Sequence, residues 1–520
     1  MGTIRPLALA VVAALLIACS QTPTTGGGPS QSAPAATVDP NKVFVIASAD
    51  DAVTMDPAFE ILPPAETLMA TLYNSLVHYK WHSDTIDIEP DLAEKWDISP
   101  DGKVYTFTLK KGVQFHKGFG ELTSADVKWH YDRLKDPALK SPALTAANII
   151  DKVDAPDPYT VKMTLKAPSP GFLLGLVAYR WGYIPSKKAY EQLGKEGFDK
   201  SPIGTGPYTF VSWTPRQEIN FEANTNYFRG TPKIKKAKIQ IIPDETVQAL
   251  AVQKGDVHGI LVRAPEVYKI VKGKPDVSIQ GNSGSAYRGA FLNTTKAPLN
   301  DVRVRQALAM VIDRPGLATA LEDMHTVAWS IIPKGMFGYT DNVTKYPVDV
   351  PKAKSLLAAA GYPNGGFTLD VILASIDKVM SEVLTAAWAQ IGVKTKIEIL
   401  EAGAFSARAF GADRNYDVLL GGKVRATPEL IMAEMDSRAF NHAGYKNDHV
   451  NDLIDQYRLE PDANKRAAIV AEVQKIESDD LPIIVLVHSL NVTVYHKSVQ
   501  GWATNASNWW FVLEEMSFKS

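Results

Sequence analysis

DLAEKWDISPDGKVYTFTLKKGVQFHKGFGELTSADVKWHYDRL, residues 91–134, carries the signals from which the fold is read. Residues 103–109 alternate, with Tyr105, Phe107 and Leu109 on one face, which is the pattern of a half-buried strand. Ser99-Pro100-Asp101-Gly102 precedes it as a turn in which proline presets φ and glycine supplies a positive φ. After Lys110-Lys111-Gly112 the chain is expected to return along 113–116 as a hairpin. Thr123, with Asp126 three residues on, resembles a capping box that opens a helix over 126–134.

Farther along, 301–312 places Val304, Ala307, Leu308, Val311 and Ile312 at helical spacing, and 351–360 repeats the pattern, with Gly361 placed as a C-cap. Strands and helices alternate, so the fold class is α/β. Hydrophobic residues at 45% and charged residues at 22% are ordinary for a globular chain. A net charge of −2 gives no reason to expect nucleic acid or an anionic membrane surface as partner.

The N-terminus is different in kind. Arg5 stands before an apolar run, 7–17, which is too short to span a bilayer, since that takes about 20 apolar residues. The run closes on Leu16-Ile17-Ala18-Cys19, with a small residue beside the single cysteine of the chain. This describes an export signal, and Leu-Ile-Ala-Cys resembles the lipobox of bacterial lipoproteins, which implies cleavage of 1–18, acylation of Cys19 and a membrane anchor. Residues 20–38 are rich in Ser, Thr, Gly, Pro and Ala and contain no charge, so 19–40 reads as a flexible linker. The chain is expected to be exported and held at the cell envelope, periplasmic or on the outer face of the cytoplasmic membrane.

The 91–134 block, in company with others in the same order, resembles family 5 extracellular solute-binding proteins, the dipeptide-, oligopeptide- and nickel-type receptors of bacterial ABC importers. Met55-Asp56-Pro57-Ala58 is similar to an early "DPA" segment. Pro202-Ile203-Gly204-Thr205-Gly206-Pro207-Tyr208 with Asn226-Tyr227-Phe228-Arg229-Gly230 is similar to "P-x-GTGPY … N-x-x-Y". Phe291-Leu292-Asn293-Thr294 with Asp301-Val302-Arg303-Val304-Arg305-Gln306-Ala307 follows, then Ala359-Ala360-Gly361-Tyr362, Tyr416-Asp417 and 466–482. The glycines of GTGPY are expected to reach backbone conformations closed to other residues, and the motif reads as a fold-specific turn because a phosphate loop would need further signals. Arg303 and Arg305, two apart on one helix, read as solvated or salt-bridged.

The resemblance implies a two-lobed periplasmic-binding-protein-like fold of the class II, cluster C type. Lobe I would be 43–77, 204–285 and 492–520, with an extra subdomain, 78–203, inserted into it, and lobe II would be 286–491. Ligand would sit in the cleft and the lobes would close on it. After the Tyr-Asp strand, peptide receptors carry Gly-Trp and then an Asp that pairs with the peptide's ammonium group. This chain has instead Gly421-Gly422-Lys423-Val424-Arg425-Ala426-Thr427-Pro428, with no Trp, no Asp and two cations. If that loop lines the cleft, an anionic or neutral ligand is favoured; if both cations face solvent, a carboxylate elsewhere takes the missing role. Candidate ligand contacts are Phe59, Tyr287, Gly421, Gly422, Lys423, Arg425, Trp509 and Trp510. In a strand, at most one of the two tryptophans would face the cleft.

Enzyme readings find little support. Asp97–Gly102 imitates a calcium loop, but a proline sits inside the ligand ring. Ser375-Ile376-Asp377-Lys378 lacks the partner motifs of penicillin-binding enzymes. His78 and His82, four apart, could share a helix face, but no third zinc ligand is local. The chain is therefore expected to be no enzyme, to need no cofactor or metal, and to act as a monomer. Its expected partners are a small solute, most readily a peptide, with a sugar or anion as alternatives, and the subunits of an ABC permease. The rival from another class is an exported hydrolase, which would need a nucleophile or metal site.

Overall fold

The computed structural model describes residues 42–59, 65–411, 414–502, 504 and 513–519. Its largest feature is a mixed sheet of eleven strands. In spatial order the main path runs Lys394–Leu400, Thr368–Ala374, Val418–Val424, Val277–Leu292, Ile483–His496, Gly259–Val262, Val43–Ser48, Lys236–Ile241, Glu218–Ala223 and Tyr208–Thr214. Two of these strands are much longer than the rest. Val277–Leu292 and Ile483–His496 lie antiparallel, and each serves both halves of the molecule. Their pairing slips between Ser283 and Ala286, opposite Leu490 and Ser489. On one side of the slip, Val492–Tyr495 pairs with Gly259–Val262; on the other, Ala286–Leu292 pairs with Val418–Val424.

The apolar cores divide about the same place. One cluster joins Phe44, Leu72, Phe107, Tyr131 and Phe221, and a smaller one lies under Val252, Ile260 and Val494. Beyond the slip, one cluster centres on Leu308, Leu384 and Trp388 and another on Phe291, Ile454 and Val485. The chain thus folds as two lobes whose shared backbone is a two-strand ladder.

The first lobe carries a second sheet of four strands, in the order Ala93–Ile98, Val104–Leu109, Thr160–Leu165, Ile150–Asp157. Tyr105, Phe107 and Leu109 are all buried on it, as the alternation requires. The hairpin is a different one from that expected. The Ser99–Gly102 turn, with Gly102 at φ +67°, joins Ala93–Ile98 to Val104–Leu109. Residues 113–122 instead bond to one another, Leu122 N to Val113 O at 2.8 Å and Phe115 N to Gly120 O at 2.8 Å. The capping box is present: Thr123 caps the helix Ser124–Leu134, and its backbone N–H donates to Asp126 Oδ2 at 3.0 Å. Val302–Ala309 and Val350–Ala359 are helices capped by Asp301 and Asp349, and Gly361 follows at φ +92°. Arg303 is exposed and paired with Asp301, whereas Arg305 is buried and donates to the carbonyls of Asp480 and Leu299.

The glycines of GTGPY are required for a reason other than a special φ, since neither has a positive one. A Cβ on Gly204 would lie 2.2 Å from Leu72 O, and one on Gly206 would lie 2.4 Å from Leu72 C. The motif is a close approach of two backbones at the end of the helix Ala65–Leu72.

Both ends of the 91–134 stretch are bolted to the rest of the first lobe by buried ion pairs. Asp91 meets Arg229 at 2.5 Å and accepts from Asn74 at 3.0 Å, while Tyr227 donates to Glu514 at 2.7 Å beside them. At the other end, Arg133 meets Asp56 at 2.5 Å, with Trp129 and Tyr190 against the guanidinium. Breaking such a pair leaves an uncompensated buried charge, which costs about 3–5 kcal/mol. Asp56→Ala should therefore lower unfolding stability by about that amount in urea titration, while Arg133→Met combined with it should recover part of the loss.

Candidate functional site

Where residues of 142–181 face residues of 424–458, the chain leaves a cavity of about 590 Å³. That size lies in the range of small-molecule sites. One wall is built by Leu173–Val177, a short π-type turn of a kind frequent at functional positions, and by the turn Arg180–Gly182. It presents Phe172, Leu176, Tyr179 and Trp181. The facing wall is the turn that follows the strand Val418–Val424: Val424, Arg425, Ala426 and Thr427. Thr427 caps the short helix Pro428–Met432, accepting from Leu430 N, and Pro428 at its first position presets φ.

The walls come close at Gly171. A Cβ on Gly171 would come 3.2 Å from Thr427 Cγ2 and 3.3 Å from Glu429 Oε2, so glycine sets how closely they approach. A backbone bond from Ile86 N to Gly335 O, 3.2 Å, joins the lobes at a second point. Glu429 is held by Arg458 at 3.0 Å, and Arg458 also meets Asp455 at 3.3 Å.

Of the residues singled out from sequence, Arg425 lines this cavity. Phe59 is half-buried on the first-lobe core, under the Lys195 ammonium at 4.8 Å. Tyr287 is fully buried on a crossing strand, and burial, with the Glu434 charge, pushes its phenol well above the usual range. Gly422 admits that strand: a Cβ there would lie 2.7 Å from Tyr287 O. Gly421 is its neighbour in the same ladder. Lys423 turns to the opposite face of the strand from Val424. Trp509, Trp510 and Cys19 lie outside the described residues. The aromatic wall was missed from sequence, although Phe172 and Tyr179-Arg180-Trp181 stand densely in a segment punctuated by Pro168, Pro170 and Gly171.

Among the described residues no group of three or more His, Cys, Asp or Glu could hold a metal. His78 lies on the strand Val77–Tyr79, not on a helix, and bonds to Tyr79 O at 2.9 Å. His82 follows in a turn at φ +52°, so the two share no helix face.

Comparison with known proteins decides the family. The family model for bacterial extracellular solute-binding proteins, family 5, matches residues 87–430. The chain belongs to the family 5 extracellular solute-binding proteins. It is 31% identical to heme-binding protein A of Haemophilus influenzae over 95% of this chain and 96% of that protein. It is 30% identical to the dipeptide-binding protein of Escherichia coli, over 84% and 86% of the two chains. Among solved structures, HbpA2 of Haemophilus parasuis covers 92% of this chain with TM-score 0.81 and 28% identity. The peptide-bound DppA of Helicobacter pylori covers the same share with TM-score 0.76. The fold is the two-lobed, cluster C periplasmic-binding-protein type.

In this family 5 chain the position after the paired glycines is taken by a buried charge cluster. Lys423 Nζ lies 3.2 Å from Glu434 Oε1 and 3.1 Å from the His442 ring, and His442 Nδ1 lies 2.8 Å from Glu434 Oε2. Phe291 and Phe410 close over the ammonium at 5.5 and 5.4 Å. Lys423 is thus matched by a carboxylate, and its charge does not reach the cavity as a free cation. Burial by itself would raise the Glu434 carboxyl, but the His442 hydrogen bond and the Lys423 charge outweigh it and hold the group down at about 2.

A carboxyl depressed from its ordinary 4.5 to about 2 stabilises the fold above pH 4.5 and loses that contribution as pH falls toward 2. The shift corresponds to about 3 kcal/mol. Denaturant unfolding followed from pH 6 to pH 2.5 should show this acid-linked loss in the native chain and its near absence in Glu434→Gln.

Proposed function

We propose that this protein is the solute receptor of an ABC importer, capturing a small solute of the peptide class in the cavity between its lobes and handing it to a membrane permease. The observation that carries the reading is the cavity itself, walled on one side by 142–181 and on the other by 424–458. A solute held by both walls binds the closed arrangement better than any open one, and that difference in affinity is what drives closure. The hinge is the slip in the crossing strands at Ser283–Ala286 and Ser489–Leu490. On this reading lobe I is 43–77, 204–285 and 492–520, the inserted subdomain is 78–203, and lobe II is 286–491.

Relatives whose names specify dipeptide, di/tripeptide and glutathione support the peptide class. Capture is non-covalent, without cofactor or catalysis, and the receptor acts as a monomer. It is exported, cleaved before Cys19, and tied by lipid to the membrane that holds its permease, with 19–40 as the tether.

Native mass spectrometry of protein purified without denaturation tests capture: one or more discrete small added masses, lost on mild unfolding, are expected. A bare protein that also gains no thermal stability from a peptide library would count against the reading. For the anchor, Cys19→Ser should move the exported protein from the membrane fraction to the soluble fraction; unchanged fractionation would refute lipid attachment.

A further inference from the structure

We infer that the charged end recognised by this cavity is an anion: the solute carries a carboxylate-type group on an apolar, ring-bearing or branched body, and Arg425 is its anchor. The inference rests on the capture reading above and names the chemistry of the captured solute. Charge within the cavity is the first argument. Of its two guanidinium groups, Arg458 is engaged by Glu429 and Asp455. Arg425 donates to the carbonyl of its own neighbour Val424 at 2.8 Å, and no carboxylate pairs with it among the described residues. A planar guanidinium with donors to spare matches a carboxylate in two parallel bonds.

The complementary test is what an ammonium group would find. Among the described lining residues the one carboxylate is Glu429, and Arg458 holds it. The Glu434 carboxylate nearby is spent on Lys423 and His442 in the core. A free ammonium group would therefore be desolvated beside Arg425 without a counter-charge. The rest of the surface is mainly apolar and aromatic, Phe172, Leu176, Tyr179 and Trp181 against Val424 and Leu430, with the hydroxyls of Thr145, Ser169 and Thr427 among them. Such a surface takes rings and branched chains by burial and stacking. A peptide would be held by its C-terminal carboxylate and side chains, and blocking its N-terminus would cost nothing.

The experiment uses two fluorescent probes on one scaffold, the anionic 1-anilinonaphthalene-8-sulfonate and the neutral N-phenyl-1-naphthylamine, with full-length protein freed of bound solute. The anionic probe should bind at least about tenfold more tightly than the neutral one. Arg425→Gln should remove that preference while leaving the neutral probe's affinity unchanged, and Arg425→Lys should keep most of it. Retained binding of the neutral probe also reports that the cavity of the variant is intact. Equal affinity for the two probes, an anionic affinity indifferent to Arg425→Gln, or binding of neither would overturn the assignment. Gly175→Trp fills the cavity, because a Cβ there already lies 3.7 Å from Thr427. Probe binding that this variant leaves intact lies elsewhere and counts against the cleft as the solute site, whereas binding lost in Gly175→Trp but indifferent to Arg425→Gln overturns the anion alone.

Discussion

The ladder between Val277–Leu292 and Ile483–His496 is the constraint on which the other features depend. Paired antiparallel strands resist shear, since every slip breaks several backbone bonds, but they twist and bend where the pairing is already interrupted. The interruption at Ser283–Ala286 falls where the apolar cores divide. On either side each lobe is stiffened by its own close-packed interior. On the proposed reading this interruption is where the lobes would bend, and the walls that such a motion would bring together are those of the cavity.

Closure of the kind proposed needs walls that hold their shape. On the first-lobe side the 91–134 stretch is fixed by ion pairs at its two ends, Asp91 with Arg229 and Asp56 with Arg133. On the other side the cluster of Lys423, Glu434 and His442 lies under the strand that ends at Val424, so the turn carrying Arg425 starts from a fixed point. Buried pairs of this kind gain little net stability against an apolar alternative, but they tolerate few arrangements of their neighbours. Their place here, at the ends of the 91–134 stretch and under the turn 424–427, fits a role in fixing geometry.

Local chemistry was the most legible part of the sequence. The Thr123–Asp126 box, the helices near 301–312 and 351–360 and the buried face of Tyr105, Phe107 and Leu109 follow from rules acting within a few residues. The family resemblance carried the two-lobed fold. Partners brought together from afar were not readable. The 113–116 segment looked like a returning strand because nothing local reveals that Thr160–Leu165 takes its place. The GTGPY glycines looked like a demand for unusual φ, when the demand comes from Leu72, more than a hundred residues earlier. Lys423 and Arg425 looked alike on paper. Glu434, just past the short helix Pro428–Met432, pairs with one in the interior, and the other is left at the cavity. The aromatic wall of 172–181 was passed over because aromatic density says nothing about which surface it will face.

The central claim is that one solute is held jointly by both lobes. Hydrogen exchange, compared between protein carrying its native solute and the same protein stripped of it, tests this most directly. The account predicts that loading protects 169–181 and 424–430 together, with the crossing strands changing near Ser283–Ala286 and little elsewhere. Protection confined to one lobe, or spread without change at either wall, would contradict it.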